Sequence, residues 1–263
     1  MMGRIWAIAL NTFREAARIR VLYGILVLVV GANLLAIVLG EMSIHEQARV
    51  ARDIGLASIS FVGSMTAIFL GVFLLYGEVQ RRTIYSIVTR PIARWEFVCG
   101  KYLGMVLVLT VLAALFSVAM VALLAWQGVG LTAALGKAVL LAWFEVVTVA
   151  AIAVFFSSFS SPFLSGIFAL ALFVIGRVTP DLRSAAATAD AAWIRTVARG
   201  TLEIVPDLHL FAISGRAVDG QTVSVHGDFV AWSYVASAAG HGLLWIGALL
   251  ILACVIFQRR DFV

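Results

Sequence analysis

Two titratable residues sit inside long apolar runs, and those are the places where this chain could do chemistry. Glu145 interrupts the run at 138–156, and His241 is the one titratable residue of the run at 233–257. A charged carboxylate at mid-depth of a bilayer costs on the order of 3 kcal/mol or more unless it is protonated or partnered, so such a group is a functional candidate by default. One reading makes Glu145 a substrate-pathway or gating contact. The other makes it a protonated carboxyl hydrogen-bonded to a neighbour such as Thr148 or a serine. The second is preferred, because no second intramembrane charge offers itself as a relay partner. His241 lies between Gly240 and Gly242 and reads first as a packed, hydrogen-bonded histidine.

Other chemistries lack their residues. An intramembrane serine protease needs a Gly-x-Ser-Gly setting and a histidine. Ser165-Gly166 and His241 imitate this, but Phe163 stands where the first glycine belongs. The serine and the histidine also fall toward opposite ends of their runs. Bis-histidine haem ligation needs two intramembrane histidines, and His45, His209 and His226 all lie in segments between the runs. No Cys/His cluster has metal-ligand spacing, and no G-x-x-x-x-G-K-[ST] cradles a nucleotide. Cys99 and Cys254 adjoin or enter apolar runs, which gives no disulfide framework. The expectation is a chain with no catalytic residues, no metal and no cofactor of its own.

The elements that hold these residues follow from composition. Of 263 residues, 63% are hydrophobic and 13% charged, and mean hydropathy is +1.06. A soluble domain carries about 25% charged residues, so the bilayer must solvate most of this chain. Runs of about 20 apolar residues mark spanning helices. They fall at 21–40, 54–77, 102–126, 138–156, 160–176 and 233–257. The fold class expected is an all-α membrane protein of six transmembrane helices, a single transmembrane domain over 1–263. Arg4, Arg14, Arg18 and Arg20 are spread through a helical pattern, unlike a secretory signal, and no cleavage pattern follows.

Orientation follows from the basic residues. With both termini inside, the inner segments hold Arg4, Arg14, Arg18, Arg20, Arg81, Arg82, Arg90, Arg94, Lys101, Arg259 and Arg260. The short outer loops hold Arg49, Arg52 and Lys137. The positive-inside rule therefore puts both termini in the cytoplasm. The long segment at 178–232 adds Arg183, Arg195, Arg199 and Arg216, but long loops count for little in that rule. No basic patch interleaved with aromatics points to nucleic acid.

Two inner segments have patterns of their own. Across 4–20, Arg4, Asn11, Arg14, Glu15 and Arg18 share one helical face, opposite Trp6, Leu10, Phe13 and Ala17. That is an amphipathic helix in the interface, its arginines toward anionic lipid heads. The insert at 78–101 reads EVQRRTIYSIVTRPIARWEFVCGK. Pro91 suits a first helical turn, which predicts a short helix over 91–98 carrying Ile92, Trp95 and Val98 on one face. Trp95 and Phe97 on such a helix make either a docking surface or an interface anchor. In the outer segment, 191–204 stripes Trp193, Val197 and Ile204 as an amphipathic helix ended by Pro206, and Asp219-Gly220 is a hairpin-type turn signal.

The insert and its surroundings resemble the permease subunits of the type-2 ABC exporter family. The motif appears here as Gly77-Glu78, Thr83, Arg90-Pro91, Arg94-Trp95-Glu96-Phe97 and Gly100-Lys101, with Arg82 where the family usually has Gly. The Ser-rich turn at 157–162, the stretch at 204–208 (with Asp207 where Asn is commoner) and the Arg-Arg-Asp-Phe tail at 259–262 look familial as well. The resemblance implies a bacterial inner-membrane permease that pairs with a second copy or a paralogue and with two cytosolic ABC ATPase subunits. ATP and magnesium would enter only through those partners. Glu78, Thr83, Arg90, Pro91, Arg94, Trp95, Glu96, Phe97 and Lys101 would belong to the coupling helix, and Trp6, Arg14 and Arg18 to an elbow helix leaning on the ATPase.

Three functions are then open. One is export of a substrate. The second is ATP-driven motion passed through 178–232 to a periplasmic partner, with nothing transported. The third, a stand-alone secondary transporter, predicts paired intramembrane charges and inverted repeats and ranks last. The spans at 54–77 and 102–126 are nearly all apolar beyond Ser58, Ser60, Ser64, Thr66, Thr110 and Ser117. That favours an amphiphilic substrate, or none.

Overall fold

The computed structural model describes residues 2–41, 47–80, 93–128, 132–189, 191–212, 217–218, 221–222 and 231–259. The described residues are helical almost throughout. In order, α1 is Met2–Ala17, α2 Arg20–Glu41, α3 Gln47–Ala57, α4 Gly63–Gln80, α5 Arg94–Trp126, α6 Ala133–Ser157, α7 Pro162–Arg177, α8 Thr179–Thr188, α9 Ala192–Ile204 and α10 Trp232–Arg259. A π-helical turn, Ser58–Val62, joins α3 to α4, and a 3-10 turn, Leu208–Phe211, follows α9. Two two-residue strands pair antiparallel, Ala217 with Thr222 and Val218 with Gln221. Asp219-Gly220 lies between them, outside the described residues.

Among the described residues, four helical stretches are long and apolar enough to cross a membrane: Arg52–Leu74, Arg94–Trp126, Ala133–Ser157 and Trp232–Gln258. Bent pairs raise the number to as many as six. Met2–Ala17 meets Arg20–Leu35 at 66°, and Pro162–Arg177 meets Thr179–Thr188 at 62°.

The helix at the centre is α6. From Glu145 to Val154 every side chain is buried, and α4, α5, α7 and α10 surround it. Its sequence explains the position. Small and β-branched residues (Ala142, Val146, Val149, Ala150, Ala151, Ala153) let neighbouring backbones come close, as membrane helices require when lipid supplies no hydrophobic drive. At Gly71 of α4 a Cβ would stand 2.5 Å from the Ala153 Cβ, so only glycine fits there. Polar cross-links supplement the packing: the Tyr102 hydroxyl donates to the Val147 carbonyl (3.1 Å) and Trp143 Nε1 to Thr110 Oγ1 (2.9 Å).

Two sequence expectations need correction here. First, no separate short helix precedes the third span within the described residues. Arg94 to Trp126 is one helix of 33 residues, because nothing from Arg94 to Tyr102 breaks it and the Glu96 carboxylate accepts the Ala93 N–H (3.2 Å) at its start. Second, α1 does not merely lie on lipid. Between its arginine face and its Trp6 face runs a stripe of small residues, Ala9, Thr12 and Ala16, all buried. That stripe packs on α5, where Gly100 and Gly104 let it approach: a Cβ on Gly104 would meet the Thr12 Cβ at 2.5 Å and the Ala9 carbonyl oxygen at 2.6 Å. The shorter fifth run, 160–176, forms α7, a 16-residue helix. That is about 24 Å at 1.5 Å per residue, short of the ~30 Å hydrocarbon core.

Candidate functional site

The shortness of α7 decides what Glu145 meets. Measured from the turn that joins them, Glu145 stands about 18 Å up α6 and Arg177 about 22 Å up α7 at helical rise. The last residue of α7 therefore arrives within reach of the middle of α6. The bend into α8 follows at once, with Pro180 in its first turn.

Glu145 is fully buried, yet both carboxylate oxygens are occupied. Arg177 Nη1 lies 2.8 Å from Oε1, and the Ser60 hydroxyl donates to Oε2 at 2.5 Å. The same Arg177 Nη1 also reaches Ser60 Oγ at 3.0 Å, closing a three-membered polar cluster. The expectation that no second charge accompanies Glu145 is thus overturned: the partner is Arg177. A serine does bond the carboxyl, as expected. Thr148 does not, its hydroxyl donating to the Phe144 carbonyl of its own helix.

Ser60 reaches the cluster from the π-helical turn. A π turn holds one more residue than an α turn and re-aims the side chains on it, which is why such turns occur at functional sites. Here Ser58, Ile59 and Ser60 are all turned inward. The Arg177 guanidinium also lies 5.9 Å from the Phe173 ring, near enough for a cation–π contact.

Beside the cluster is a cavity of about 280 Å³. Asp53, Ser60, Glu145 and Arg177 supply its polar wall and Leu56, Ala138, Ala142 and Phe211 much of its apolar wall. Its side near Phe211 is formed by the stretch from Val205 to Phe211, which tucks back against the bundle. Pro206, Asp207 and Leu208 are buried, and at Gly176 a Cβ would meet the Pro206 carbonyl oxygen at 2.8 Å. Asp207 fixes this stretch. Its Oδ1 accepts from the Thr179 hydroxyl (2.5 Å) and the His209 N–H (3.1 Å), and its Oδ2 pairs with Arg183 at 2.5 Å. The Tyr234 hydroxyl donates to the Leu210 carbonyl at 2.7 Å.

A second polar cluster sits at the opposite end of the bundle, where α1 and the end of α10 both pack on α5. Arg94 Nη1 donates to the carbonyls of Phe257 and Gln258 (3.3 and 3.1 Å), satisfying the last turn of α10. Phe97 stacks on Phe257 at 5.9 Å. Lys101, 1% exposed, pairs with Glu15 of α1 at 3.4 Å and lies 5.9 Å from the Phe97 ring. These residues stand where a docking surface is expected, but Glu96, Phe97 and Lys101 are buried. They bind α5 to α1 and α10 instead of facing outward. Trp95 is half-buried. Trp6 and Arg14 on α1 are exposed, and so is Arg18 in the turn that follows it. Thr83, Arg90 and Pro91 lie outside the described residues, as does the side chain of Glu78.

His241 is packed near Trp245, ring centroids 6.4 Å apart. Its buried Nε2 takes no hydrogen bond among the described residues, and neither does Ser165 Oγ. The imitation of a serine–histidine pair is thus not assembled among the described residues. No group of three or more His, Cys, Asp or Glu side chains could hold a metal among the described residues.

Sequence reasoning missed Arg177, which falls one residue past the fifth apolar run, and the Asp207–Thr179–Arg183 node. For the first, a signal existed: counting helical rise back from the Ser-rich turn brings Arg177 to the level of Glu145. For the second there was none. The sequence model of one family, described as ABC-2 family transporter protein, matches residues 6–262. No curated protein matches the chain significantly.

Proposed function

The chain belongs to the ABC-2 family of transporter proteins, a multi-pass membrane component of an ABC transporter, and from that premise we propose that it is a six-span inner-membrane permease driven through the end of the bundle where α1 and the end of α10 pack on α5. Both termini lie in the cytoplasm in this reading, as the distribution of Arg and Lys favours. Two separate ATPase subunits engage the segment at 78–93 that leads into α5, and a second permease chain completes the transporter.

The observation that carries the coupling role is the riveted end of α5. Directly after the 78–93 segment, Arg94 holds the end of α10, Lys101 holds Glu15 of α1, and Gly100 and Gly104 seat α1 against the same helix. Force delivered just before Arg94 then moves α1, α5 and α10 together. Rigid-body movement of packed helices is an established way to turn a local event into a change across a bundle. Elbow residues Trp6 and Arg14, exposed on α1, and Arg18 just past its end stand on the piece that moves.

The test is co-purification from gently solubilised membranes. Wild type is expected to bring down a P-loop ATPase. The Arg90→Glu, Trp95→Ala double variant is expected to recover at least about tenfold less, corresponding to a loss near 1.4 kcal/mol. The variant spares Glu96, whose carboxylate caps α5 and whose loss would confuse folding with docking. Recovery of no ATPase with wild type, under conditions that keep such complexes intact, sinks the coupling reading.

A further inference from the structure

Resting on the permease reading, we propose that the cavity beside Glu145 and Arg177 binds the head of a zwitterionic amphiphile, its anionic oxygens on the Arg177 guanidinium and its ammonium toward Asp53. The tail would follow the apolar wall of Leu56, Ala138 and Phe211.

Charge and donor count point to this class. Arg177 is a planar fork of five N–H donors suited to phosphate or carboxylate. Only its Nη1 is used by Glu145 and Ser60 among the described residues, and its side chain is 29% exposed. The remaining donors can turn to a ligand while Nη1 stays anchored, so the ion pair holds the fork in place. The wall as a whole is not cationic. Glu145 already neutralises Arg177, so a free anion or a purely anionic head would bring a charge the wall leaves uncompensated. A head that carries its own ammonium beside the anion removes that conflict. Asp53 has other interactions in the protein, but a carboxylate offers about four acceptor positions and keeps room for an ammonium.

Shape and position agree. Ligand sites are mostly apolar recesses with a few convergent polar groups, and about 280 Å³ accommodates a head and the first carbons of a tail, not a whole diacyl lipid. Depth matters too. Glu145 sits mid-way along a 25-residue spanning helix, where a polar solute would have to shed all its water and an amphiphile only that of its head.

The test uses the full chain without any ATPase, in detergent, and measures binding of three probes: dihexanoyl phosphatidylethanolamine, dihexanoyl phosphatidic acid, and phosphoethanolamine, which is the head without tails. The first is expected to bind at least about tenfold more tightly than either other. Arg177→Gln should lose that binding. Asp53→Asn should reverse the preference toward phosphatidic acid. Ala138→Leu fills the cavity without touching the ion pair and should abolish binding in a protein that still elutes as a folded species, which keeps the test decisive if Arg177→Gln does not fold. Equal binding of phosphoethanolamine would mean a soluble zwitterion is the ligand and overturns the amphiphile assignment. Preference for phosphatidic acid in wild type, or binding unchanged by both Arg177→Gln and Ala138→Leu, overturns the site. Because no ATPase is present, either failure leaves the coupling reading standing.

Discussion

At the scale of single residues, the Glu145 cluster is a problem in electrostatic completeness. A lone carboxylate inside the bundle would be penalised heavily, and here each oxygen has its own donor, Arg177 on one and Ser60 on the other. Breaking a buried pair from one side leaves an uncompensated charge and costs about 3–5 kcal/mol, whereas replacing both partners by apolar groups is often close to neutral. Glu145→Leu is therefore expected to lower stability by about 3 kcal/mol, because Arg177 keeps its charge without an acceptor. The Glu145→Leu, Arg177→Leu double variant is expected to recover more than half of that loss. Chemical denaturation in detergent checks both, and additive losses would show that the two residues do not act as a pair. The double variant should also fail to bind the zwitterionic probe, which separates the pair's part in stability from its part in recognition.

At the scale of elements, close approach is set by glycines at a few crossings. Gly104 is the most demanding at the α1–α5 contact, since both a side chain and a backbone oxygen of α1 lie within 2.6 Å of where a Cβ would go. Gly104→Ala is expected to cost about 1–3 kcal/mol through overpacking and to lift α1 off α5. The loss should appear as faster proteolysis within the first 17 residues. Gly247→Ala in α10, where a Cβ would meet nothing within 4 Å, should leave the digestion rate unchanged. Elements such as α5, α6 and α10 were legible in the sequence because each contains an apolar run of membrane length, broken at most by one titratable residue. The N-terminal amphipathic helix was legible too, from its arginine face. What could not be read were features that leave no mark in composition. The stripe Ala9, Thr12, Ala16 separates two faces that stand out by charge and by bulk, and small residues advertise neither. The π turn at Ser58–Val62 differs from an α turn by one residue of winding. The partners of Glu145 lie 85 and 32 positions away, a distance that local periodicity does not reach.

At the scale of the whole molecule, the bundle has two unlike ends. At one, α1, the start of α5 and the end of α10 are pinned by Arg94 and Lys101. At the other, α8, α9 and the tucked stretch around Asp207 build a cover that leans on α7 and α10, and Lys137 at the head of α6 lies 5.1 Å from the Trp232 ring at the head of α10. The cavity lies between these ends, reached by side chains from α3, the π turn, α6 and the end of α7. Motion imposed at the pinned end must pass along α5 and α10, both packed on α6, before it changes the cavity walls. The pairing of α6 with α7 also has a consequence for biogenesis. As α6 leaves the ribosome it carries Glu145 with no cation beside it. The compensating guanidinium is made only after the Ser-rich turn and all sixteen residues of α7. The two helices are thus expected to enter the bilayer as one hairpin, α6 being held by the translocation machinery until Arg177 arrives. Nascent chains stalled before Pro162 should be extracted from membranes by urea more readily than chains stalled well past Arg177. Equal resistance of the two would show that α6 partitions into lipid on its own.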